Sequence, residues 1–287
     1  NSKSFRRLVF DEICANFLTL SKNRKRVKTQ KDIKKFSQKI AEKILQELPY
    51  KLTNSQLNVL KEINLDLKSN KRMFRIIQGD VGSGKTIVAF LTAANVIESE
   101  YQCALMSPTE ILSKQHYNLA KSLFKNSNIN IQLLTGKTKS SEKKNILKNL
   151  ENGKIDLLIG THALFQKKLN FYKLGYVIVD EQHKFGVKQR SDLAKKGGNT
   201  CDVLLMSATP IPRTMMMSLY GDMDISKITE KPSIRKSIIT LSKPDHKINE
   251  LWSFLKKEID NKNQIFWVCP LIDESNFLDF SSAKKKI

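Results

Sequence analysis

Short apolar runs alternate with amphipathic segments along the chain from Asp32 onward. Six of these runs, each four or five residues long, have the composition of β-strands, and helical segments lie between them. Strands this apolar that alternate with helices are typical of a parallel sheet covered on both faces. The sequence therefore predicts an α/β fold with helices on both faces of the sheet, and with strands at 73–77, 103–106, 131–134, 156–159, 176–179 and 202–206.

Two segments between the predicted strands have the apolar spacing of helices. Residues 86–99 are apolar on nearly all sides, which indicates a helix buried against the sheet. Residues 109–125 carry spaced apolar positions, and Thr109 is a candidate N-cap directly after Pro108.

The first 50 residues have a different pattern. Residues 4–20 predict an amphipathic helix, and the segment from Lys22 to Lys39 contains nine basic residues and one acid. Such a charge run is usually a solvated surface, and contact with phosphate groups is the functional alternative. We predict that residues 1–50 form a basic helical linker.

The alternation of strands and helices begins again near the end of the chain. Residues 237–242 and 264–269 predict strands, and residues 247–260 between them predict a helix. Residues 231–287 are too few for an independent α/β domain. We therefore predict a complete domain over 51–230 and the truncated start of a second domain over 231–287.

Charge and cysteine content narrow the class of protein. The formal net charge is +22, from 50 Lys and Arg residues against 28 Asp and Glu residues. A nucleic-acid partner would account for this excess, and so would an AT-rich genome that favours lysine. No apolar run is long enough to span a bilayer and no signal sequence opens the chain, so no membrane partner is expected. The widely spaced cysteines predict reduced, buried thiols in a cytoplasmic protein: Cys14, Cys103, Cys201 and Cys269.

The segment QGDVGSGKT lies between the first predicted strand and a predicted helix. It matches the P-loop pattern in the strand–loop–helix context that the pattern requires. Its glycines let backbone N–H groups face phosphate oxygens at the helix N-terminus. Lys85 would reach the β and γ phosphates of ATP, and Thr86 would ligate Mg²⁺. The predicted nucleotide-binding residues are Gly79, Asp80, Val81, Gly82, Ser83, Gly84, Lys85 and Thr86.

Two adjacent acids follow the predicted strand 176–179. Strands often end in acidic residues, so this pair alone carries little weight. A P-loop, however, needs a second Mg²⁺ ligand besides the Thr86 hydroxyl. This ligand is a carboxylate at the end of a neighbouring parallel strand, and Asp180 fits that position. Glu181 would then polarise the attacking water, which is an arrangement for hydrolysis rather than for phosphate transfer to a substrate.

The order of three motifs resembles helicase superfamily 2: the P-loop, then DEQH, then SAT. Together with SPTEILSKQH, IGTHALFQ, TPIPRT and LYGDMDIS, they look like the RecG family of bacterial DNA helicases, which remodel branched replication intermediates. The resemblance covers almost the whole chain. It implies a RecA-like P-loop domain, followed by the start of a second RecA-like lobe.

A neighbouring family shares part of this pattern. The translocase of the transcription-repair coupling factor also has the FGV and TPIPRT elements, but it typically reads GFGKT, DEEH and TATP. Ser83, Gln182 and Ser207 therefore favour the RecG family.

The RecG resemblance implies further roles. Gln56 would select ATP, with Tyr50 or a nearby apolar residue packing on the base. Gln182 and His183 would sense the γ-phosphate beside Asp180 and Glu181. The positions that would contact or couple to DNA are Pro108, Thr109, Thr135, Gly136, Thr161, His162, Ser207 and Thr209. The alternatives are structural: a helix cap for Thr109, and hydrogen-bonded structural histidines for His162 and His116.

RecG-like proteins also carry an N-terminal wedge domain and a complete second lobe, which this sequence does not contain. That lobe supplies an arginine, and such an arginine is worth about 10³–10⁵ in rate. We expect this chain alone to bind ATP–Mg²⁺ and branched DNA weakly, to hydrolyse ATP poorly and to unwind nothing. A non-catalytic module that binds nucleotide, DNA or a separate chain carrying the missing lobe is the alternative from another class. The expected location is the cytoplasm, at the nucleoid.

Overall fold

The structure, a computed structural model, describes residues 2–27, 30–165, 169–181, 198–209, 223–230, 239–244 and 247–268. The chain divides into two compact units, Asn1–Arg235 and Lys236–Ile287. Two of the predicted catalytic residues, Gln182 and His183, lie outside the described residues.

A seven-stranded parallel sheet forms the centre of the first unit. Its strand order is β3-β4-β2-β5-β6-β1-β7. All six strands predicted in this region are present within two residues of the expected bounds, and the α/β prediction is confirmed. The strands are β1 (Phe74–Gly79), β2 (Gln102–Met106), β3 (Ile131–Leu134), β4 (Leu157–Gly160), β5 (Leu174–Val179), β6 (Asp202–Ser207) and β7 (Asp224–Ile228).

Edge strand β7 was missed from the sequence. Its residues, DISKI, contain only two apolar positions, Ile225 and Ile228, and polar residues separate them. An edge strand has a neighbour on one side only, so it does not need the continuous apolar run by which the inner strands were recognised. Its pairing with β1 places it beside the P-loop strand.

Helices cover both faces of the sheet. Neighbouring residues of one strand enter different cores: Ile76 of β1 lies in one apolar cluster and Ile77 in the other. The helix predicted from its apolar composition, α4, is confirmed as buried. The helices of the described residues are α1 (Lys3–Val27), α2 (Lys39–Glu47), α3 (Asn54–Leu67), α4 (Lys85–Glu98), α5 (Glu110–Leu123), α6 (Ser140–Glu151) and α7 (Ile248–Asp260).

The helical linker predicted over residues 1–50 contains α1 and α2, and the described residues between these helices, 30–38, are not helical. Residues 30–38 run without helix along the first unit, and two of their lysines are buried. The Nζ atoms of Lys31 and Lys34 each lie 2.6 Å from Oδ2 of Asp202 at the start of β6. Neither lysine is on a solvated face or free to contact phosphate, because both are paired inside the protein.

The second unit contains α7 as predicted, but its predicted strands are absent where the structure describes them. Residues 239–242 and 264–268 have no strand conformation. A strand requires a hydrogen-bonded neighbour, and the described residues of this unit supply none. The indole of Trp252 on α7 stacks on that of Trp267, with ring centroids 4.9 Å apart.

The cysteines agree with the prediction of reduced thiols as far as they are described. Cys103 and Cys201 are buried, and Cys14 on α1 is partly exposed. Burial raises the pKa of the Cys201 thiol to about 12. No helix among the described residues is both long enough and apolar enough to cross a membrane.

Candidate nucleotide-binding site

The parallel sheet brings the predicted site residues to one edge. Because every strand runs the same way, the segments that follow the strands meet at their carboxyl ends. The P-loop follows β1, Asp180 follows β5 and Ser207 ends β6. One expectation needs correction: β5 is not the neighbour of β1, because β6 lies between them.

Two glycines give the P-loop its shape. Gly82 and Gly84 have φ angles of 77° and 87°, in the left-handed region that favours glycine. Gly84 is also the N-cap of α4, and a Cβ atom there would lie 2.2 Å from Nε2 of Gln56. The loop therefore turns into the helix with its backbone open, as a phosphate cradle requires.

The remaining loop residues differ in exposure. Asp80 and Val81 are exposed, and Thr86 is half-buried at the start of α4. Ser83 is buried, and its Oγ has no hydrogen-bond partner among the described residues. A Cβ atom on Gly79 would lie 2.5 Å from that Oγ, so glycine is needed there for close packing.

Lys85 extends from α4 across its own loop. Its Nζ donates hydrogen bonds to the carbonyl oxygens of Gly79 and Asp80, at 2.6 and 3.0 Å. Burial lowers the pKa of Lys85, while the nearby carboxylates of Glu181 and Asp180 oppose that shift. The P-loop ammonium and the acidic pair thus lie within electrostatic reach of each other.

The acidic pair is held by specific contacts. The backbone N–H of Asp180 donates to the carbonyl oxygen of Met106 at 2.8 Å. Oδ1 of Asp180 accepts a bond from the backbone N–H of Glu181 at 3.0 Å, and Oδ2 lies 2.7 Å from Nε2 of His116. Glu181 has a φ of 48°, a strained conformation for a residue other than glycine.

A cavity of about 480 Å³ lies beside the P-loop. Gln56 and Tyr50, the two residues predicted at the base, are both in its wall. Gln56 is buried and completes a capping box with Thr53: its Oε1 accepts from the Thr53 N–H, and the Thr53 hydroxyl accepts from the Gln56 N–H. Nε2 of Gln56 donates to the carbonyl oxygen of Ser83 at 2.8 Å, which joins α3 to the P-loop.

The SAT hydroxyls contact each other. Ser207 is buried and Thr209 is exposed, and their hydroxyl oxygens lie 3.1 Å apart. Ser207 is in register with Gln78, directly before the P-loop. This register places Ser207 beside the strand residue that precedes the P-loop.

The predicted DNA-contacting residues lie along the same edge, but their side chains differ in access. Thr109 is exposed, and its hydroxyl caps α5 by accepting from the N–H of Leu112. Thr135 lies in a local turn in which its hydroxyl accepts from Lys137 N–H, and Gly136 is exposed. The Lys137 ammonium lies 3.3 Å from the Glu110 carboxylate, which joins this turn to the start of α5.

The next pair along the edge is split between surface and interior. Thr161 is buried, whereas His162 is exposed on a 3₁₀ turn over His162–Phe165. Pro108, before α5, is half-buried. Thr109, Gly136 and His162 therefore present surface at this edge, and the Thr161 side chain does not.

The described residues contain no group of three or more His, Cys, Asp or Glu side chains that could hold a metal ion alone. Thr86 and Asp180 offer a hydroxyl and a carboxylate, the oxygen ligands that Mg²⁺ prefers. Because Mg²⁺ in such sites is held by one or two side chains together with substrate phosphates, these residues fit an ion that arrives with a nucleotide.

The chain matches known helicases in sequence. The DEAD/DEAH box helicase family matches residues 53–218. The ATP-dependent DNA helicase RecG of Thermotoga maritima is 46% identical over 282 residues, which cover 98% of this chain and 36% of that protein. RecG of Bacillus subtilis is 44% identical over 280 residues, which cover 97% of this chain and 41% of that protein. The chain thus spans well under half the length of these relatives.

The chain is also similar to solved helicase structures. A structure of RecG bound to a three-way DNA junction is similar with a TM-score of 0.78 and 41% identity, covering 89% of this chain and 34% of that one. The helicase MrfA bound to DNA has a TM-score of 0.58 at 14% identity, which shows a shared fold alone.

Proposed function

This chain belongs to the DEAD/DEAH box helicase family, and from that membership we propose that it is the ATP-binding part of a RecG-type DNA helicase. The RecG resemblance predicted from the motifs is confirmed by the relatives that align over nearly the whole chain. The observation that carries the proposal is the arrangement at one sheet edge: Lys85 in a glycine-shaped loop, within electrostatic reach of Asp180 and Glu181.

The P-loop would bind the phosphates of ATP. Backbone N–H groups between Gly79 and Thr86 would donate to phosphate oxygens at the start of α4. The Lys85 ammonium now donates to two loop carbonyls, and we infer that it exchanges them for β and γ phosphate oxygens. Gln56 and Tyr50 would contact the base in the cavity beside the loop.

Thr86 and Asp180 would hold Mg²⁺. When bound, the ion would neutralise negative charge on the reacting phosphates. Glu181 would orient a water molecule and accept its proton through the side-chain carboxylate. Gln182 and His183 remain predicted to sense the γ-phosphate.

We further propose that the exposed residues at the same edge contact DNA, and that Ser207 and Thr209 couple hydrolysis to movement. The net charge of +22 supports a polyanion partner. One relative was solved on a three-way junction, which supports a branched DNA substrate for the complete protein. Fork reversal, junction processing and a location at the nucleoid belong to this proposal.

The activity of this chain alone is expected to be low. In related mechanisms an arginine from outside the P-loop lobe contributes about 10³–10⁵ in rate. The matched relatives extend far beyond the region that this chain covers. We therefore propose that a separate chain or a further segment supplies the second lobe for full turnover.

ATP turnover with and without forked DNA tests the proposal. The chain should turn over ATP slowly but faster than its Lys85→Ala variant, and forked DNA should raise the rate. Glu181→Gln should abolish turnover while nucleotide binding is kept, because only the proton acceptor is lost. Glu142→Gln, which changes an exposed carboxylate on α6, is the matched control and should behave like the unchanged chain.

A non-catalytic binding module is the second candidate, supported by the partial coverage of the relatives. It predicts nucleotide binding that Lys85→Ala abolishes, with no turnover that Glu181→Gln could remove. Equal turnover in the unchanged chain and in Lys85→Ala would contradict the proposed ATPase site.

A further inference from the structure

His116 makes a contact that its position in the chain does not predict. It lies on α5, and its Nε2 is 2.7 Å from Oδ2 of Asp180, 64 residues further along the sequence. Both residues are buried. An ionised carboxylate only accepts hydrogen bonds, so Nε2 carries the proton in this contact.

The surroundings of His116 fix the imidazole rather than merely enclose it. Its ring packs edge-on against Phe90 of α4, with centroids 6.4 Å apart and planes at 76°. Phe90 is fully buried in the helix that begins with the P-loop lysine. A histidine kept only for packing would need no carboxylate partner, whereas this one is directed at the proposed metal-binding side chain.

The contact between His116 and Asp180 also joins elements that belong to non-adjacent strands of the sheet. Helix α5 packs against β3 and β4, while Asp180 follows β5, which is separated from β4 by β2. The helix begins after Thr109, which lies exposed at the edge proposed to contact DNA. His116 is seven residues further on, about 10 Å along the helix axis at 1.5 Å per residue. One helix therefore begins at the edge proposed to contact DNA and carries the histidine that contacts the Asp180 carboxylate.

We propose that His116 is a positioning residue that holds the Asp180 carboxylate for Mg²⁺, and that it links this carboxylate to the DNA-facing end of α5. The inference rests on the proposed nucleotide site and adds to it. With Oδ2 held by His116 and Oδ1 held by the N–H of Glu181, the carboxylate is oriented before any ion binds. Without His116 only the N–H of Glu181 restrains the carboxylate, and ion binding must then restrict the remaining freedom.

The test measures nucleotide binding, not turnover. A fluorescent, non-hydrolysable ATP analogue is titrated into the chain at a series of Mg²⁺ concentrations, with and without a short single-stranded DNA. His116→Ala should raise the Mg²⁺ concentration that gives half-maximal stimulation of analogue binding about tenfold or more. Loss of a residue that hydrogen-bonds to a metal ligand usually weakens metal binding by this factor. Analogue binding without Mg²⁺ should change little, and the unfolding temperature should fall because a buried side chain is removed.

Two further variants separate positioning from simple loss of packing. His116→Gln keeps an N–H donor at similar reach and should recover most of the Mg²⁺ dependence. Asn118 lies exposed on the same helix, so Asn118→Ala should show the Mg²⁺ dependence of the unchanged chain. DNA should lower the half-maximal Mg²⁺ concentration in the unchanged chain, and this shift should vanish in His116→Ala.

Each outcome decides one part of the inference. An unchanged Mg²⁺ dependence in His116→Ala overturns the positioning role, and so does failure of His116→Gln to recover it. A DNA-induced shift that persists in His116→Ala overturns the link through α5. If the unchanged chain and Lys85→Ala bind the analogue equally, the proposed nucleotide site itself fails, and the inference falls with it.

Discussion

At the scale of single residues, the most unusual feature is a pair of buried lysines that share one carboxylate. Lys31 and Lys34 both reach Oδ2 of Asp202, while Oδ1 of Asp202 accepts from the backbone N–H of Met73 at 2.6 Å. The three side chains carry a formal charge of +1 in the interior. Burial lowers the pKa of Lys31, and the carboxylate of Asp202 opposes that shift.

The charge arithmetic of this cluster gives a prediction. Asp202→Asn leaves two buried ammonium groups without a counter-charge and should destabilise the chain by about 3–5 kcal/mol. Lys34→Met removes one ammonium group, leaves a neutral Lys31–Asp202 pair, and should cost clearly less. Urea unfolding of the three proteins, followed by circular dichroism, measures both differences. Equal losses for the two variants would contradict this account.

The site residues differ in how far the sequence alone predicts their roles. The roles of Gly79 to Thr86 were predictable because the P-loop is contiguous and its spacing follows from phosphate geometry. The contact between His116 and Asp180 was not predictable, because only the fold brings the two residues together. Likewise, nothing local distinguishes Lys31 and Lys34 from the exposed lysines around them.

At the scale of elements, the geometry of the P-loop is fixed by the helix that it begins and by a second helix that packs over it. It joins β1 to α4, and α3 closes over it through the bond from Gln56 Nε2 to the Ser83 carbonyl oxygen. Gly84 has little space for any side chain, because a Cβ atom would meet Gln56 Nε2 at 2.2 Å. The α3 contact and the helix start thus constrain the same residue.

Alanine at Gly84 should therefore be costly in two ways: through its φ of 87° and through the clash with Gln56. Gly198→Ala is the matched control, since Gly198 has a φ of 73° and no atom within 4 Å of a Cβ. The control should lose about 1–2 kcal/mol of stability through backbone strain alone. Gly84→Ala should lose more and should also bind the ATP analogue at least tenfold more weakly. Equal stability losses with unchanged binding would refute the close-packing argument.

The elements also show where sequence reasoning holds and where it fails. Inner strands such as β2 and β5 were predicted because burial on both faces demands continuous apolar runs. Strand β7 was missed because polar residues separate its two isoleucines, so it has no continuous apolar run. The apolar run at 264–269 predicts a strand, but residues 264–268 have no strand conformation, because a strand also depends on a partner that local composition does not encode.

At the scale of the whole molecule, its helices differ in how much of their surface they bury. Helix α3 buries one face, including Val59, Ile63 and Leu67, under the sheet. Helix α7 in the second unit has no buried residue, although it carries Trp252 and Phe254. A helix without a buried face is held mainly by its own hydrogen bonds, which is marginal at this length.

Limited proteolysis can compare the two helices through matched sites. Lys61 on α3 and Lys257 on α7 are both exposed lysines inside helices. A protease requires a locally unfolded segment, and the cost of local unfolding rises with buried apolar contact. Trypsin should therefore cut at Lys257 at least tenfold faster than at Lys61, as followed by mass spectrometry of the peptides.

In urea both sites should be cut at similar rates, which controls for the intrinsic preference of the protease. Equal rates under native conditions would mean that α7 is as stable as α3 despite its exposed apolar residues. If the chain is instead mixed with a separately produced second lobe from a RecG relative, protection of Lys257 should increase, because the side chains of Trp252 and Phe254 would then be covered. The same digest thus measures the stability of α7 and whether the added lobe completes the second unit.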